Sequence, residues 1–304
     1  MEEKLVRINS VDEIEQPGIL YTPIEDTKKI VIHVHGLNGN FYENRFIDVL
    51  ASSYTSKGYA FLTFNNRGRD FITELLHGND YTIIGGSLER FKDCILDIEG
   101  IVNWVKEKGY NEIILEGHSY GCNKVLYYYN QKEDESIKKI VLLAPCDIPS
   151  EGKKFLSEKE YKIAKEESTR LVNENKENEL IDFSVMANGK IAAGTYYNDF
   201  LPGGVNDFIR YIDGINGKSE VLNSLDIPVL VIFGDVDECV LTQSIDIVKG
   251  YLSNNINDCN IQVIKGADHS YNGKYNELGE IVKNNIWKYY LQHLMEKVIL
   301  QNCC

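Results

Sequence analysis

Residues 112–121, EIILEGHSYG, decide the fold. The first four predict a buried strand, and the helical pattern that continues to about Asn130 predicts a helix directly behind it. Between them stands the pattern G-x-S-x-G, whose small outer residues Gly117 and Gly121 permit a tight turn. Such a turn holds Ser119 in a strained backbone conformation and lifts its Oγ beyond the carboxyl end of the sheet. We therefore expect Ser119 to be a nucleophile.

Apolar runs of strand length alternate with helical patterns on both sides of this turn. The predicted strands are Leu5–Ile8, Gly18–Tyr21, Ile30–His35, Ala60–Phe64, Lys139–Ala144, Pro228–Phe233 and Asn260–Ile264. The predicted helices cover Phe41–Ser56, the apolar stripe from Leu88 to Val105, Leu241–Leu252 and Tyr275–Lys297. Continuous apolar strands between amphipathic helices predict an α/β fold, with a mainly parallel sheet and helices on both faces.

The alternation breaks between Ile148 and Ser224. Ser157 to Glu160 form a capping box that opens a polar helix, and a stretch punctuated by Gly and Asn follows. We interpret 148–224 as an inserted helical cap, with core regions at 1–147 and 225–304. The segment has few large aliphatic residues, which disfavours an independent domain.

Composition excludes several classes of function. With 304 residues and 43% apolar residues, the chain can bury a sizeable core. The net charge of −14 argues against binding to nucleic acid or anionic membranes, since both are negative. The longest apolar runs are strand-sized, so no membrane span is expected.

The cysteines and the N-terminus suggest a compartment. Seven cysteines show no CxxC or Cys/His metal spacing, and no glycine fingerprint for nucleotides appears. We therefore expect neither a metal nor a cofactor. The N-terminal MEEKLVRINS has no apolar stretch behind its charges, so we expect no signal peptide, reduced thiols and a cytoplasmic location.

A serine nucleophile needs a base, and His269 is the best candidate among six histidines. It follows a late strand in Gly-Ala-Asp-His-Ser, at the carboxyl edge of the predicted sheet, and it comes after Ser119 in the chain. His118 should point away from the neighbouring hydroxyl. His33, His77 and His293 are expected to be ordinary satisfied polar residues.

The base in turn needs an acid to hold its tautomer. The loop after the Pro228–Phe233 strand offers Asp235 and Asp237. Asp237 is favoured, because the chain needs a few residues to turn from the strand toward the histidine, and Asp235 is the alternative. Asp268 adjoins His269 too closely to reach its ring, so a turn role is expected for it.

Two backbone N–H groups should stabilise the oxyanion. One is expected from Tyr120, at the start of the helix after the turn. The other should come from the loop His35-Gly36-Leu37-Asn38-Gly39-Asn40, with Leu37 as the first choice and Asn38 as the second.

Weaker candidates surround this set. Asn38, Tyr196, Tyr197 and Phe200 are candidates for a substrate pocket, although the three aromatic residues equally suit docking of the cap onto the core. Residues 65–70, NNRGRD, are expected to be a loop scaffold, with contact to a charged substrate as the alternative. Cys122 and Cys239 are expected to be small buried hydrophobes.

Together these pieces resemble the α/β-hydrolase superfamily. The matching motifs are His35-Gly36, the G-x-S-x-G turn, Gly234…Asp237…Val240 and Gly266-Ala267-Asp268-His269, in family order. The resemblance implies the α/β-hydrolase fold and a serine hydrolase with the triad Ser119, Asp237 and His269. The loop HGLNGN departs from the lipase group that carries a triple glycine.

A finer resemblance concerns residues 117–124 (GHSYGCNK), Leu156–Tyr161 and Thr195–Gly204, which are similar to a group related to siderophore-ester hydrolases. It implies cleavage of an ester in a small or medium organic molecule through an acyl-serine. Thioester hydrolysis and acyl transfer remain open within the same triad, as does a hydrolase-like protein that only binds its ligand. The sequence makes no prediction of oligomeric state.

Overall fold

A computed structural model describes residues 1–186 and 188–286. The predicted helix Tyr275–Lys297 is helical over 275–286, and its remainder lies outside the described residues. His293 and the Cys303–Cys304 pair also lie outside them.

Twelve strands are formed by the described residues. They are β1 (Glu2–Asn9), β2 (Glu15–Thr22), β3 (Lys29–Val34), β4 (Ala60–Phe64), β5 (Thr73–His77), β6 (Asp80–Ile84), β7 (Glu112–His118), β8 (Ile137–Leu143), β9 (Leu180–Asp182), β10 (Lys190–Ala192), β11 (Val229–Gly234) and β12 (Cys259–Ile264). Eight of them form one sheet in the order β1-β2-β4-β3-β7-β8-β11-β12. Within this sheet, β1 pairs antiparallel with β2, and β2 pairs antiparallel with β4. The remaining neighbours in that order, from β4 to β12, pair parallel.

Helices connect these strands. They are α1 (Phe46–Thr55), α2 (Cys94–Glu107), α3 (Tyr120–Lys132), α4 (Ile148–Lys154), α5 (Glu158–Asn173), α6 (Ala193–Asp199), α7 (Glu220–Asn223), α8 (Ile245–Asn255) and α9 (275–286). Every residue of β4 and of β11 is buried, so side chains on both faces of the sheet are covered. The predicted α/β class with a mainly parallel sheet is confirmed.

The predicted helices are present, but several of them begin at other residues than predicted. The predicted start of α1 at Phe41 is wrong, since the helix begins at Phe46. The stripe from Leu88 becomes α-helical at Cys94, after a short 3-10 turn at Phe91–Asp93. α8 begins at Ile245 rather than Leu241, because the Ser244 hydroxyl accepts the N–H of Ile247 and caps the helix there.

Residues 148–224 run between β8 and β11 and contain α4 to α7 with the β9–β10 hairpin. The capping box predicted at the start of α5 is confirmed: the Ser157 hydroxyl accepts the N–H of Glu160, and the Glu160 carboxylate accepts the N–H of Ser157. Phe183 packs against the rings of Tyr196 and Phe200 inside the segment. The division of the chain into core and cap stays a prediction.

Across residues 1–186 and 188–286, no helix has the length and apolar character needed to cross a membrane.

Candidate active site

Ser119 occupies the sharp turn between β7 and α3. Its φ of 55° and ψ of −127° lie in a region that costs an L-residue strain energy. Only glycine fits two residues before and two residues after Ser119. A Cβ on Gly117 would lie 2.4 Å from the Gly121 carbonyl oxygen, and a Cβ on Gly121 would lie 2.1 Å from the Val34 carbonyl oxygen. The turn is therefore locked against the end of β3, and it presents the serine hydroxyl at the carboxyl edge of the sheet.

Three loops at this edge bring Ser119, His269 and Asp237 together. The Ser119 Oγ lies 2.8 Å from the His269 Nε2, and the His269 Nδ1 lies 3.0 Å from the Asp237 Oδ1. These loops follow β7, β11 and β12. β7 and β11 lie on either side of β8 in the parallel sheet, and β12 pairs with β11. Ser119 and His269 are half-buried and Asp237 is fully buried, so solvent reaches the serine and the histidine but not the acid.

The carboxylate of Asp237 is held in place by its own loop. Its Oδ1 accepts the backbone N–H groups of Cys239 and Val240, each at 3.0 Å, besides the imidazole. Asp235 instead accepts the backbone N–H of Gly266, a bond that joins two loops. Asp268 accepts N–H groups within its own turn, as expected. The geometry thus favours Asp237 over Asp235 as the partner of the histidine.

Acidic neighbours control the charge of the imidazole. Burial alone would lower the pKa of His269, but the hydrogen bond that its ring donates to Asp237 and the charge of that carboxylate outweigh burial and raise the pKa above its usual value. The charges of Glu151 and Glu238 act in the same direction. This field stabilises the imidazolium that forms when the ring takes a proton.

Two further histidines, His118 and His35, support the loops of the site. Burial lowers the pKa of His118 well below its usual value, and this ring lies with its Nε2 2.9 Å from the His269 backbone carbonyl. His118 thus points away from the Ser119 hydroxyl, as expected, and it holds the backbone of His269 instead. Sequence reasoning missed this supporting role, because adjacency to a serine does not reveal a partner 151 residues away.

His35 orders the loop after β3. Burial lowers its pKa to about 3, so the ring is neutral. Its Nε2 accepts the Asn66 N–H at 3.1 Å, which leaves the proton on Nδ1, and Nδ1 donates to the Gly36 carbonyl at 2.8 Å. The neutral ring therefore joins this loop to the loop after β4.

The loop after β3 lies directly against the nucleophile. A Cβ on Gly36 would sit 3.0 Å from the Ser119 Cβ, which places the next residue, Leu37, beside the serine. Tyr120 opens α3, and the first N–H groups of a helix have no partner within it. Asn38 has a positive φ of 56° and donates from Nδ2 to the Met186 Sδ at 3.2 Å. The amides of Leu37 and Tyr120 stay the predicted oxyanion donors.

The predicted pocket aromatics pack within residues 148–224. Tyr196 and Phe200 are buried, with nearly parallel rings 5.9 Å apart, and Tyr197 is half-buried against the core. The ring contacts among them lie inside this segment, so both the pocket role and the docking role stay predictions.

Residues 65–70 form a scaffold. The guanidinium of Arg67 is buried and lies 2.9 Å from the Asp97 carboxylate and 2.7 Å from that of Asp12. Both carboxylates raise the pKa of Arg67, and they compensate the positive charge of its buried guanidinium.

A buried polar network underlies the turn. The Lys124 Nζ lies 2.7 Å from the Glu89 carboxylate, and the Tyr120 hydroxyl donates to Asp199 at 2.7 Å. Burial raises the pKa of Asp199 well above its usual value. Because Asp199 ends α6, this bond ties the residue after the nucleophile to the 148–224 segment.

One cysteine lies closer to Ser119 than the sequence predicted. The Cys146 Sγ lies 3.9 Å from the Ser119 Oγ, a contact that nothing in the sequence around residue 146 indicates. Cys122 is buried as predicted, with its thiol directed at the Gly117 carbonyl. The prediction that Cys239 is also buried is wrong: it is only partly covered, because its loop lies at the open edge of the sheet beside His269.

Solved structures share this architecture. Est1E from Butyrivibrio proteoclasticus, solved with ferulic acid bound, is 20% identical with a TM-score of 0.66, and the match covers 93% of this chain and 98% of that one. The esterase Pf2001 of Pyrococcus furiosus is 18% identical with a TM-score of 0.59, covering 96% of this chain and 91% of that one. An alpha-beta serine hydrolase homologue from Coxiella burnetii is 16% identical with a TM-score of 0.55, covering 93% and 96%.

A search of curated proteins found no match. At these identities the solved structures establish the fold alone. The family model described as alpha/beta hydrolase fold matches residues 29–270, which span β3 to the loop that carries His269. The chain therefore belongs to the alpha/beta hydrolase fold family.

Proposed function

We propose that this protein is a serine hydrolase that cleaves a carboxylic ester of a small or medium organic molecule. The observation that carries the proposal is the hydrogen-bonded line from the Ser119 Oγ through His269 to the Asp237 carboxylate. A serine hydroxyl is a weak nucleophile, and this arrangement supplies the base and the group that orients it.

In the proposed reaction, the His269 Nε2 takes the Ser119 proton as Oγ attacks the ester carbonyl. The imidazolium is stabilised by Asp237 and then protonates the leaving alcohol, which gives the acyl-serine. A water molecule loses a proton to the same Nε2 and attacks the acyl-serine, which releases the acid and restores the hydroxyl.

The oxyanion of each tetrahedral intermediate would be stabilised by the backbone N–H groups of Tyr120 and Leu37. The dipole of α3 adds to this effect, because its positive end lies at the serine. Support comes from the close packing of Gly36 on the Ser119 Cβ, which brings the two loops to one side of the nucleophile. We propose that residues 148–224 cap this site.

The solved structures support the ester class. Est1E is described with ferulic acid, and Pf2001 is described as an esterase. Ferulic acid is an aromatic carboxylic acid of moderate size, which agrees with the substrate size proposed for this chain.

A fluorophosphonate probe tests the nucleophile directly. We expect wild-type protein to be labelled and Ser119→Ala to remain unlabelled, because the probe reacts only with an activated hydroxyl. Ser270→Ala is the matched control, since this half-buried serine lies beside His269 but has no place in the triad. Labelling that survives Ser119→Ala would remove the assignment.

A substrate panel tests the ester class. p-Nitrophenyl esters of short, long and aromatic acids would be compared with acyl-thioesters, with and without an added alcohol as acceptor. We expect the esters to be hydrolysed with the higher kcat/KM. A clear preference for thioesters, or transfer to the alcohol in place of hydrolysis, would contradict the ester proposal while leaving the nucleophile intact.

A further inference from the structure

Three donor groups of different chemistry meet beside the triad. A carboxylate oxygen of Asp237, the Sγ of Cys239 and a ring nitrogen of His269 all lie within 4.8 Å of one another. Two of them belong to the loop after β11 and the third to the loop after β12. Sequence spacing did not predict this cluster, because no Cys/His motif joins the two loops.

One carboxylate oxygen of the triad acid, Asp237, has no hydrogen-bond partner in the described part of the chain. Its Oδ1 receives three hydrogen bonds, whereas its Oδ2 is buried and has no hydrogen-bond partner among the described residues. An unpartnered buried carboxylate oxygen is costly, and it is accounted for when a ligand sits against it. A cation is the ligand that an anionic oxygen favours.

The donor set suits a transition metal. It combines one carboxylate, one thiol and one imidazole, and solvent water can complete the coordination, as in zinc sites that have three protein ligands. Thiolate, imidazole and carboxylate are the donors that Zn²⁺ takes in four-coordinate sites.

Solvent reaches this cluster. Cys239 is partly exposed, and the His269 side chain retains 16% of its accessible surface. We propose that Asp237, Cys239 and His269 form a binding site for Zn²⁺ that reversibly switches the triad off. The switching rests on the proposed hydrolase function, whereas the binding does not.

The inhibitory step follows from proton positions. The Cys239 thiol loses its proton to solvent as its sulfur binds the metal. His269 presents its Nδ1 to Asp237 at 3.0 Å, so Nδ1 is the nitrogen the metal takes, and the ring proton moves from Nδ1 to Nε2. A protonated Nε2 can no longer accept the proton of Ser119, so the nucleophile stays neutral.

Cobalt provides a probe whose readout is independent of activity. Co²⁺ bound by a thiolate gives a ligand-to-metal charge-transfer band in the near ultraviolet, and Zn²⁺ removes the band by competition. The full chain would carry Cys303→Ser and Cys304→Ser, because that vicinal thiol pair would itself bind such metals. We expect one Co²⁺ per chain with a thiolate band in this background.

Variants locate the site. We expect Cys239→Ser to abolish the band and to raise the Kd by at least about 10-fold, the usual cost of even indirect changes to a metal site. Cys259→Ser is the matched control, since this cysteine is also partly exposed but opens β12 at the far end of the strand. An unchanged band in Cys239→Ser, or no band in the parent chain, would overturn the site.

Labelling separates the switch from the site. We expect saturating Zn²⁺ to suppress fluorophosphonate labelling of Ser119 at least about 10-fold, and a chelator to restore it, in the parent chain and in Cys259→Ser. In Cys239→Ser the same Zn²⁺ should leave labelling at its metal-free level. Full labelling of the metal-loaded parent would overturn the switch. Absence of labelling without metal would instead count against the hydrolase function, and the cobalt band would still decide the site.

Discussion

Among the described residues, two histidine–carboxylate pairs occur, and one of them lies beside Ser119, the proposed nucleophile. His269 faces Asp237 at 3.0 Å, and His33 faces Glu116 at 2.7 Å. The second pair is the shorter of the two, and it joins the neighbouring strands β3 and β7 inside the sheet. The nitrogen–oxygen distance alone would therefore favour His33 over His269 as the candidate base.

The other ring nitrogen makes the difference. The His33 Nε2 is buried and has no hydrogen-bond partner among the described residues. Its partner Glu116 also accepts a hydrogen bond from the Tyr54 hydroxyl. The Nε2 of His269 instead lies 2.8 Å from the hydroxyl of the half-buried Ser119. The comparison teaches that a His–carboxylate pair becomes a candidate site when its free nitrogen meets an accessible nucleophile at the edge of the sheet.

The largest effect should come from removing the proposed base, His269. His269→Ala should lower kcat by about 10⁶-fold, because a triad without its histidine loses both general-base and general-acid steps. Initial rates on a p-nitrophenyl ester would measure this loss, and circular dichroism would establish that the fold persists. Near-normal turnover would mean that another group serves as base.

Changing the acid should cost less. Asp237→Asn should lower kcat by about 10⁴-fold, since the amide stabilises the wrong imidazole tautomer. Asp235→Asn is the matched control, because Asp235 lies in the same loop but bonds the Gly266 N–H. If Asp235→Asn proved the more damaging change, the orienting role would pass to that residue.

The buried pair should matter for stability instead. Glu116→Ala should lower the free energy of unfolding by about 3–5 kcal/mol, because His33 and Tyr54 would lose a buried charged partner. Urea denaturation would measure this change, with the exposed Glu107→Ala as a control expected within about 0.5 kcal/mol of wild type. The kcat per folded molecule should stay close to wild type, and a large fall would show that the two pairs are coupled.

The smallest effect concerns pH. His269 acts as base in its neutral form, and Asp237 raises its pKa, so activity should fall as pH drops through a midpoint above 6.5. Glu238→Gln should move this midpoint down by a fraction of a unit, because one of the charges that favour the protonated ring is gone. The pH dependence of kcat/KM measures it, and Glu280→Gln, exposed on α9, should leave it in place. An acid midpoint below 6.5 would contradict this electrostatic account.

The sheet and the line of three side chains were within reach of sequence reasoning. Buried strands such as β4 carry only apolar and β-branched residues, and the glycines around Ser119 leave one turn geometry. Asp237 was separable from Asp235 because loop length limits where a side chain can point.

Other features depend on tertiary contacts that local patterns do not carry. The β5–β6 hairpin was missed because it stands apart from the main sheet and its residues alternate weakly between buried and exposed. The approach of Cys146 to Ser119 and the bond from His118 to the His269 carbonyl were missed for the same reason. The start of α8 did have a local signal, the serine that caps it.

The contact of Gly121 with the end of β3 has a consequence for how the site can change over time. With 2.1 Å between a would-be Cβ and the Val34 oxygen, no side chain can enter and neither backbone can retreat without breaking sheet pairing. The loops that carry the two proposed amide donors, Leu37 and Tyr120, should therefore keep a fixed relative position. We expect crystal structures determined with and without a tetrahedral intermediate analogue to superpose at these loops. We therefore expect any movement that admits a bulkier molecule to come from the proposed cap, residues 148–224, and mutational libraries aimed at altered selectivity belong there.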